Sequence, residues 1–390
     1  MYSTIWSYLW DLVDDGIEDA VRRLRQEVGL DAVSVATAYH TFQQLRPQRP
    51  GRKLLVADRA AVYFRPDLAR YRDTAIRPHV AEMARRGNPL ERLAGACQAQ
   101  GLDLISWTVC LHNTYLSELY PAAAQQTAYG DPLGWHLCPG SDDARSYLVA
   151  LCSDLVSNYG CRRIELESCN FGGYGHSHHH PKDGVELGAG GRYLLGLSFS
   201  EGCRRRAAER GLDADALAGW VRSRLDPIFA GGPPLDEAPA ELAHAQPLLA
   251  AYQDLREELV ASLVGEIGQA CGGAEVSVIL MGDRWNAGLR PEALVRAADR
   301  VEILAYTPSA DQVEERVRAT LRDLSSPSQL VVGLQAYPPA ARQAAELRAN
   351  VDRARSCGVE QFSFYNYGIM PRASLDWVRT CLQPASGRPG

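Results

Sequence analysis

Residues 141–168 read SDDARSYLVALCSDLVSNYGCRRIELES, and this stretch decides the fold. Its first part predicts a helix over residues 142–159. Ser141 or Asp142 can accept a hydrogen bond from the first free amides, and Gly160 stands just past the end, where a left-handed residue closes a helix. After a brief turn, residues 164–168 (IELES) read as a short strand. A helix feeding a strand in this way is half of a βαβ unit, and the same rhythm recurs on both sides of it.

Upstream, strands are predicted at 3–9, 33–40 and 102–109, with helices at 16–28 and 78–100. Downstream, strands are predicted at 276–281, 301–306, 330–336 and 361–366. The helices between and after them fall at 247–271, 290–299, 309–324, 340–357 and 373–382. Eight strands, each followed by a helix, predict an α/β fold of the (β/α)8 TIM-barrel type. A doubly wound open sheet would carry a glycine-rich phosphate turn after an early strand, and none is present. The glycines of GVELGAGGRY (184–193) follow no strand directly and read as loop.

Two insertions break the rhythm. Residues 52–64 read as a hairpin between strand two and helix two. Residues 170–243 are much longer, with ends rich in glycine and proline (NFGGYGH, AGGPPLDEAPA) and two predicted helices at 199–211 and 213–229. Both follow strand ends, so both are expected on the C-terminal face of the barrel, the longer one as a lid or substrate wall. The whole chain, 1–390, reads as one barrel domain, with 170–243 forming part of the active-site face.

Composition narrows the class. With 390 residues and 46% hydrophobic side chains, the chain can bury a large core. The net charge of −6 arises from mixed acidic and basic residues with no basic block, so no nucleic-acid partner is expected. No run of 18 apolar residues exists, so no membrane span is expected. The N-terminal MYSTIWSYLWDLVDDG lacks the basic start of a signal peptide. The ten cysteines form no CxxC pair and mostly sit in apolar runs, which predicts reduced, buried thiols in a cytoplasmic protein. The sequence does not set the oligomeric state and leaves a homo-oligomer open.

The chemistry centres on strand four. Arg163, Glu165 and Glu167 alternate and so share one face. Charges on a buried strand are costly unless paired or used. Arg163 and Glu165 lie deeper, where structural pairing accounts for them. Glu167 stands at the C-terminal strand end, where barrel enzymes build their sites, and is the expected catalytic carboxylate. His176, His178, His179 and His180 follow within a few residues, and then Lys182. They are expected to contact substrate or move protons. Metal binding is the alternative, but no HExxH or comparable spacing appears, so neither a metal nor another cofactor is assigned.

Other strand ends bring polar and aromatic groups. Trp6, Tyr8, Trp10 and Asp11 come from strand one, and Tyr39 and His40 from strand two. Trp107, His112 and Asn113 belong to strand three, and Asn170 follows strand four. Asp283, Arg284 and Trp285 end strand five, Tyr306 strand six, and Gln335 and Tyr337 strand seven. Tyr365, Asn366 and Tyr367 end strand eight. Aromatic rings beside hydroxyls, amides and carboxylates at nearly every strand end suit a small-molecule carbohydrate. Glycoside hydrolysis needs two carboxyl groups. Glu167 is expected as nucleophile or base, and Asp283 is the expected acid.

The stretch from YGDPLGWHLCPG through IELES resembles a segment of the glycoside-hydrolase-like barrels related to glycosyl hydrolase family 10-like proteins. In that group a CPxxPxxR-type motif precedes helix three, and strand four ends in an acidic residue. Cys138, Pro139 and Arg145 match the motif, and Glu167 stands where Asp is more usual. The segments AYHTFQQLRPQRPGRK, AAVYFRPDLARY, GYGHSHHHPK and FSFYNYGIMP are similar to an actinobacterial-type branch of the group. The resemblance runs from Ser3 to about Pro371. It implies a barrel glycosidase or transglycosidase with His40, His176, His179, His180 and Lys182 at its site. Two other readings are a metal-dependent hydrolase or lyase built on the histidine cluster, and a sugar-binding barrel without catalysis.

Overall fold

The computed structural model describes residues 1–175 and 182–383. Eight strands form the central sheet: β1 (Tyr2–Tyr8), β2 (Ala32–Tyr39), β3 (Asp103–Val109), β4 (Arg163–Glu167), β5 (Glu275–Ile279), β6 (Arg300–Leu304), β7 (Leu330–Gln335) and β8 (Gln361–Tyr365). Each pairs in parallel with the next, and β1 pairs with β8 through Tyr2↔Gln361 to Ile5↔Phe364, which closes the barrel. The expected TIM-barrel fold is the observed one, with strand ends displaced by at most a residue or two.

The outer helices are α1 (Ile17–Arg22), α2 (Pro89–Gln100), α3 (Asp142–Tyr159), α4 (Pro247–Ala270), α5 (Pro291–Leu294), α6 (Ala310–Leu321), α7 (Ala344–Ser356) and α8 (Ser374–Leu382). Helix α3 has the predicted bounds. The Ser141 hydroxyl accepts the Ala144 amide, and Gly160 takes φ 65° at the other end. Its buried stripe includes Ala144, Leu148, Leu151 and Leu155, spaced three or four apart as one helical face requires.

Several local readings are corrected. The helix expected over 16–28 runs as α1 and then widens into a π-helical turn, Arg23–Val28. The one expected over 78–100 is two helices, Glu82–Gly87 and α2. Asn88 at φ 43° separates them, and Pro89, with no amide to give, opens the second. The hairpin expected over 52–64 instead pairs Phe42–Leu45 with Leu54–Ala57, while Ala61–Val62 folds back antiparallel onto the end of β2. Its first strand, FQQL, buries a glutamine: Gln44 accepts from Trp10 Nε1 at 2.6 Å and donates to Asp11 at 2.8 Å. Hydrophobic alternation could not reveal such a strand. A second hairpin, Ala124–Gln126 with Pro132–Leu137, follows β3 and was not anticipated.

The long insertion contains the two expected helices, observed as Glu201–Glu209 and Ala214–Phe229, and also Pro239–Ala245. The glycine run read as loop is a helix, Gly188–Leu195. Its glycines serve close packing, since a Cβ on Gly190 would lie 2.6 Å from the Glu237 carbonyl oxygen.

The barrel interior is partly polar. Arg163 pairs with Glu275 at 2.7 Å and donates to Gln361 at 2.9 Å. Glu165, fully buried, accepts from Trp6 Nε1 at 2.8 Å and from the Ser34 hydroxyl at 2.5 Å. Glu302 on β6, equally buried, accepts from Ser363. Burial, then the nearby Glu165, holds the Glu302 carboxyl well above its ordinary range.

Candidate active site

Glu167 is the last residue of β4. Ser168 follows at φ 52°, a left-handed turn that ends the strand. The chain nevertheless stays docked on its neighbour: Cys110 N donates to Glu167 O at 2.8 Å, and Leu111 N to Ser168 O at 3.1 Å. The carboxyl group is therefore fixed from the backbone up. Trp107, on β3, donates its indole N–H to Glu167 Oε2 at 2.5 Å. Trp107 is itself held by stacking on Trp6 at 5.4 Å between ring centroids. Burial pushes the Glu167 carboxyl up to about 7, against the lowering effect of the Trp107 bond. Among the described residues no neighbouring carboxylate contributes to that shift.

A cluster of phenols lies near this acid. Tyr8 Oη lies 3.2 Å from Tyr39 Oη and 3.1 Å from Tyr365 Oη. Burial keeps all three protonated, and the nearby Glu167 reinforces this. The half-buried rings of Tyr306 and Tyr337 lie 5.5 and 6.5 Å from Tyr365. Two buried polar atoms here, Tyr306 Oη and Asn366 Nδ2, have no hydrogen-bond partner among the described residues. Such groups are costly in a folded protein unless something else satisfies them.

A row of imidazoles continues from Tyr39. His40 stacks on Tyr39 at 4.3 Å and on His112 at 4.6 Å, and His112 lies parallel to His136 at 6.2 Å. The loop after Glu167 passes directly over His136, because a Cβ on Gly172 would come 2.8 Å from that ring. His136 escaped the sequence reading because it sits in the unanticipated hairpin. Glu302 escaped because it lies inside its strand rather than at the end.

The remaining expected residues are placed as follows. Asp283 is exposed and caps the short helix Arg284–Ala287, its Oδ1 accepting from Trp285 N at 2.9 Å and Asn286 N at 2.8 Å. Asn113 caps the helix Thr114–Leu119 through Leu116 N at 2.9 Å. Asn170 donates to the Phe171 carbonyl at 2.7 Å. Trp285 packs edge-on against Tyr193 and under Arg284. Gln335 is half-buried at the end of β7, in register with Tyr365. Lys182 is exposed. His176, His178, His179 and His180 lie outside the described residues. Among the described residues no group of three or more His, Cys, Asp or Glu side chains is arranged to hold a metal ion, and no helix is long and apolar enough to cross a membrane.

No protein-family model and no curated protein matches the sequence. Solved structures do match the fold. A β-galactosidase from Marinomonas ef1 superposes with a TM-score of 0.57 at 10% identity, over 97% of this chain and 58% of that one. A β-galactosidase from Halorubrum lacusprofundi gives 0.58 at 13% identity, over 97% and 57%. An α-L-fucosidase from Paenibacillus thiaminolyticus gives 0.55 at 11% identity, over 97% and 48%. The chain thus spans about half the length of these enzymes. At such identities the likeness is one of fold.

A carboxyl group poised at about 7 is close to an equal mixture of acid and base at neutral pH. Its phenolic and indole neighbours offer hydrogen bonds and ring faces but no competing negative charge.

Proposed function

We propose that the chain is a glycoside hydrolase or transglycosidase, with Glu167 as its proton donor and acceptor. One observation carries this reading: a buried strand-end carboxyl, held by Trp107 and raised to about 7, near a cluster of tyrosines. A protonated Glu167 gives its proton to the glycosidic oxygen as the bond breaks. A second carboxylate, one other than Glu167, holds the glycosyl carbon as the leaving alcohol departs; water or an acceptor hydroxyl then displaces it and gives its proton to the Glu167 carboxylate, which restores the acid. The half-buried rings of Tyr306, Tyr337 and Tyr365 suit a pyranose face. The barrel neighbours named as galactosidases and a fucosidase support a glycoside substrate. The acid role fits Glu167 better than Asp283, whose carboxylate is exposed and occupied as a helix cap.

A panel of chromogenic aryl glycosides tests the proposal. The wild type should cleave at least one member, with activity falling as pH rises through about 7 because the acid form is lost. Glu167→Gln should lower kcat/KM by roughly 10²- to 10⁴-fold. Undiminished cleavage by that variant, or no cleavage of any glycoside by the wild type, refutes the reading.

A further inference from the structure

One thiol pair lies outside this chemistry. Cys138 follows the strand Pro132–Leu137, just before α3, and Cys203 sits in the first turn of the insertion helix Glu201–Glu209. They are 65 residues apart in sequence, yet their Sγ atoms lie 3.3 Å apart. Two glycines permit this approach. A Cβ on Gly140 would come 2.8 Å from Cys203 Sγ, and one on Gly202 would collide with the Gly140 carbonyl oxygen.

The surroundings of the pair are built for a thiolate. Cys138 Sγ receives the Ser200 hydroxyl at 3.1 Å, the Gly140 amide at 3.4 Å and the Cys203 thiol at 3.3 Å, with the Ser198 hydroxyl at 3.5 Å. Ser198 and Ser200 are fully buried. Burial alone would push the Cys138 thiol up, but these donors outweigh it and bring the thiol down to about 6. Its partner behaves oppositely: the bond to Cys138, then burial, holds Cys203 in the thiol form. Burial also pushes up Cys97, Cys110, Cys152, Cys161, Cys271 and Cys381.

We infer that Cys138 and Cys203 form a reversible, peroxide-driven disulfide that ties the insertion helix to the segment entering α3. The Cys138 thiolate attacks one oxygen of a hydroperoxide. The O–O bond breaks, and the other oxygen leaves with a proton as water or alcohol. Sulfur is thereby oxidised to the sulfenic acid and the peroxide is reduced. Cys203 sulfur then attacks Cys138 sulfur, the S–O bond breaks, and hydroxide departs with the Cys203 proton as a second water. Hydrogen peroxide is close to water in size and is the oxidant best able to reach a buried sulfur. A small thiol reverses the link by exchange. The pair needs to close by only a little over 1 Å to reach bonding distance, about 2.05 Å.

The test treats the full chain with stoichiometric hydrogen peroxide, blocks free thiols with N-ethylmaleimide under denaturing conditions, and maps peptides by mass spectrometry. A Cys138–Cys203 linked peptide that disappears on reduction is expected. Cys138 should be consumed in the link while the half-buried Cys357 is recovered alkylated. In Cys203→Ser, with folding checked by circular dichroism, dimedone should label Cys138 and no link should form. Recovery of unlinked, unoxidised Cys138 from the wild type while Cys357 reacts would overturn the inference. Because the readout is a linkage, it stands or falls separately from glycosidase activity.

Discussion

Glu167 and Trp107 work as a unit, because the indole bond and the burial pull the carboxyl in opposite directions and burial prevails. The consequence reaches stability. The folded-state value of about 7 lies above the ordinary 4.5, so the proton binds the folded chain more tightly than the unfolded one. This contribution is fully present below pH 4.5 and is lost as pH rises through 7, a span worth about 3 kcal/mol. Glu167→Gln should therefore gain about 3 kcal/mol on the wild type between pH 4.5 and 8, measured as urea unfolding at both ends. Removing the indole donor acts on catalysis. In Trp107→Phe the carboxylate loses its hydrogen bond, so the alkaline limb of the rate profile should move to higher pH. A fall of roughly tenfold in kcat/KM should accompany it, the equivalent of one charged hydrogen bond. An unmoved limb would mean that another group sets it.

Among the elements, the insertion offers a contrast between two glycines. Gly190 lies where its helix meets the Leu235–Glu237 backbone, so Gly190→Ala should destabilise by about 1–3 kcal/mol through overpacking. Gly219, within Ala214–Phe229, has only the flexible Arg222 guanidinium near its missing Cβ, at 3.8 Å. Gly219→Ala should stabilise by about 0.5–1 kcal/mol through the lower entropy of the unfolded chain. Melting temperatures of the two variants should move in opposite directions. Helix α3 was legible to the residue because its cap, stripe and terminal glycine are all local signals. The helix Gly188–Leu195 was not, because its glycines answer to a surface distant in sequence.

At the scale of the molecule, Arg145 joins parts that the sequence keeps far apart. It is almost wholly buried and donates to Pro139 O, Leu259 O and Ser262 Oγ, each at 3.0 Å, and to both oxygens of Glu266. The loop before α3 is thus bound to α4. Arg145→Ala should cost about 3 kcal/mol in urea unfolding, because the buried Pro139 carbonyl loses its donor and the bonds to Leu259 O, Ser262 Oγ and Glu266 go with it. Lysine should recover only part of that, since a single ammonium cannot reproduce the fork. Cys138, Pro139 and Arg145, which carried the family resemblance, therefore meet at one junction of barrel and insertion, where the thiol pair also lies.

The barrel and the position of Glu167 at a strand end were determined by the sequence alone. Period-two strands, capped helices and their strict alternation are local patterns, and closure of eight such units follows from them. Tertiary structure decided the rest. The state of Glu167 depends on a tryptophan from the neighbouring strand and on burial that no local pattern encodes. Asp283 also ends a strand in the sequence and was the expected acid, but the turn that follows it engages its carboxylate as a helix cap. The Tyr8, Tyr39 and Tyr365 hydroxyls join residues up to 357 positions apart, and only closure of the barrel brings β1 and β8 together.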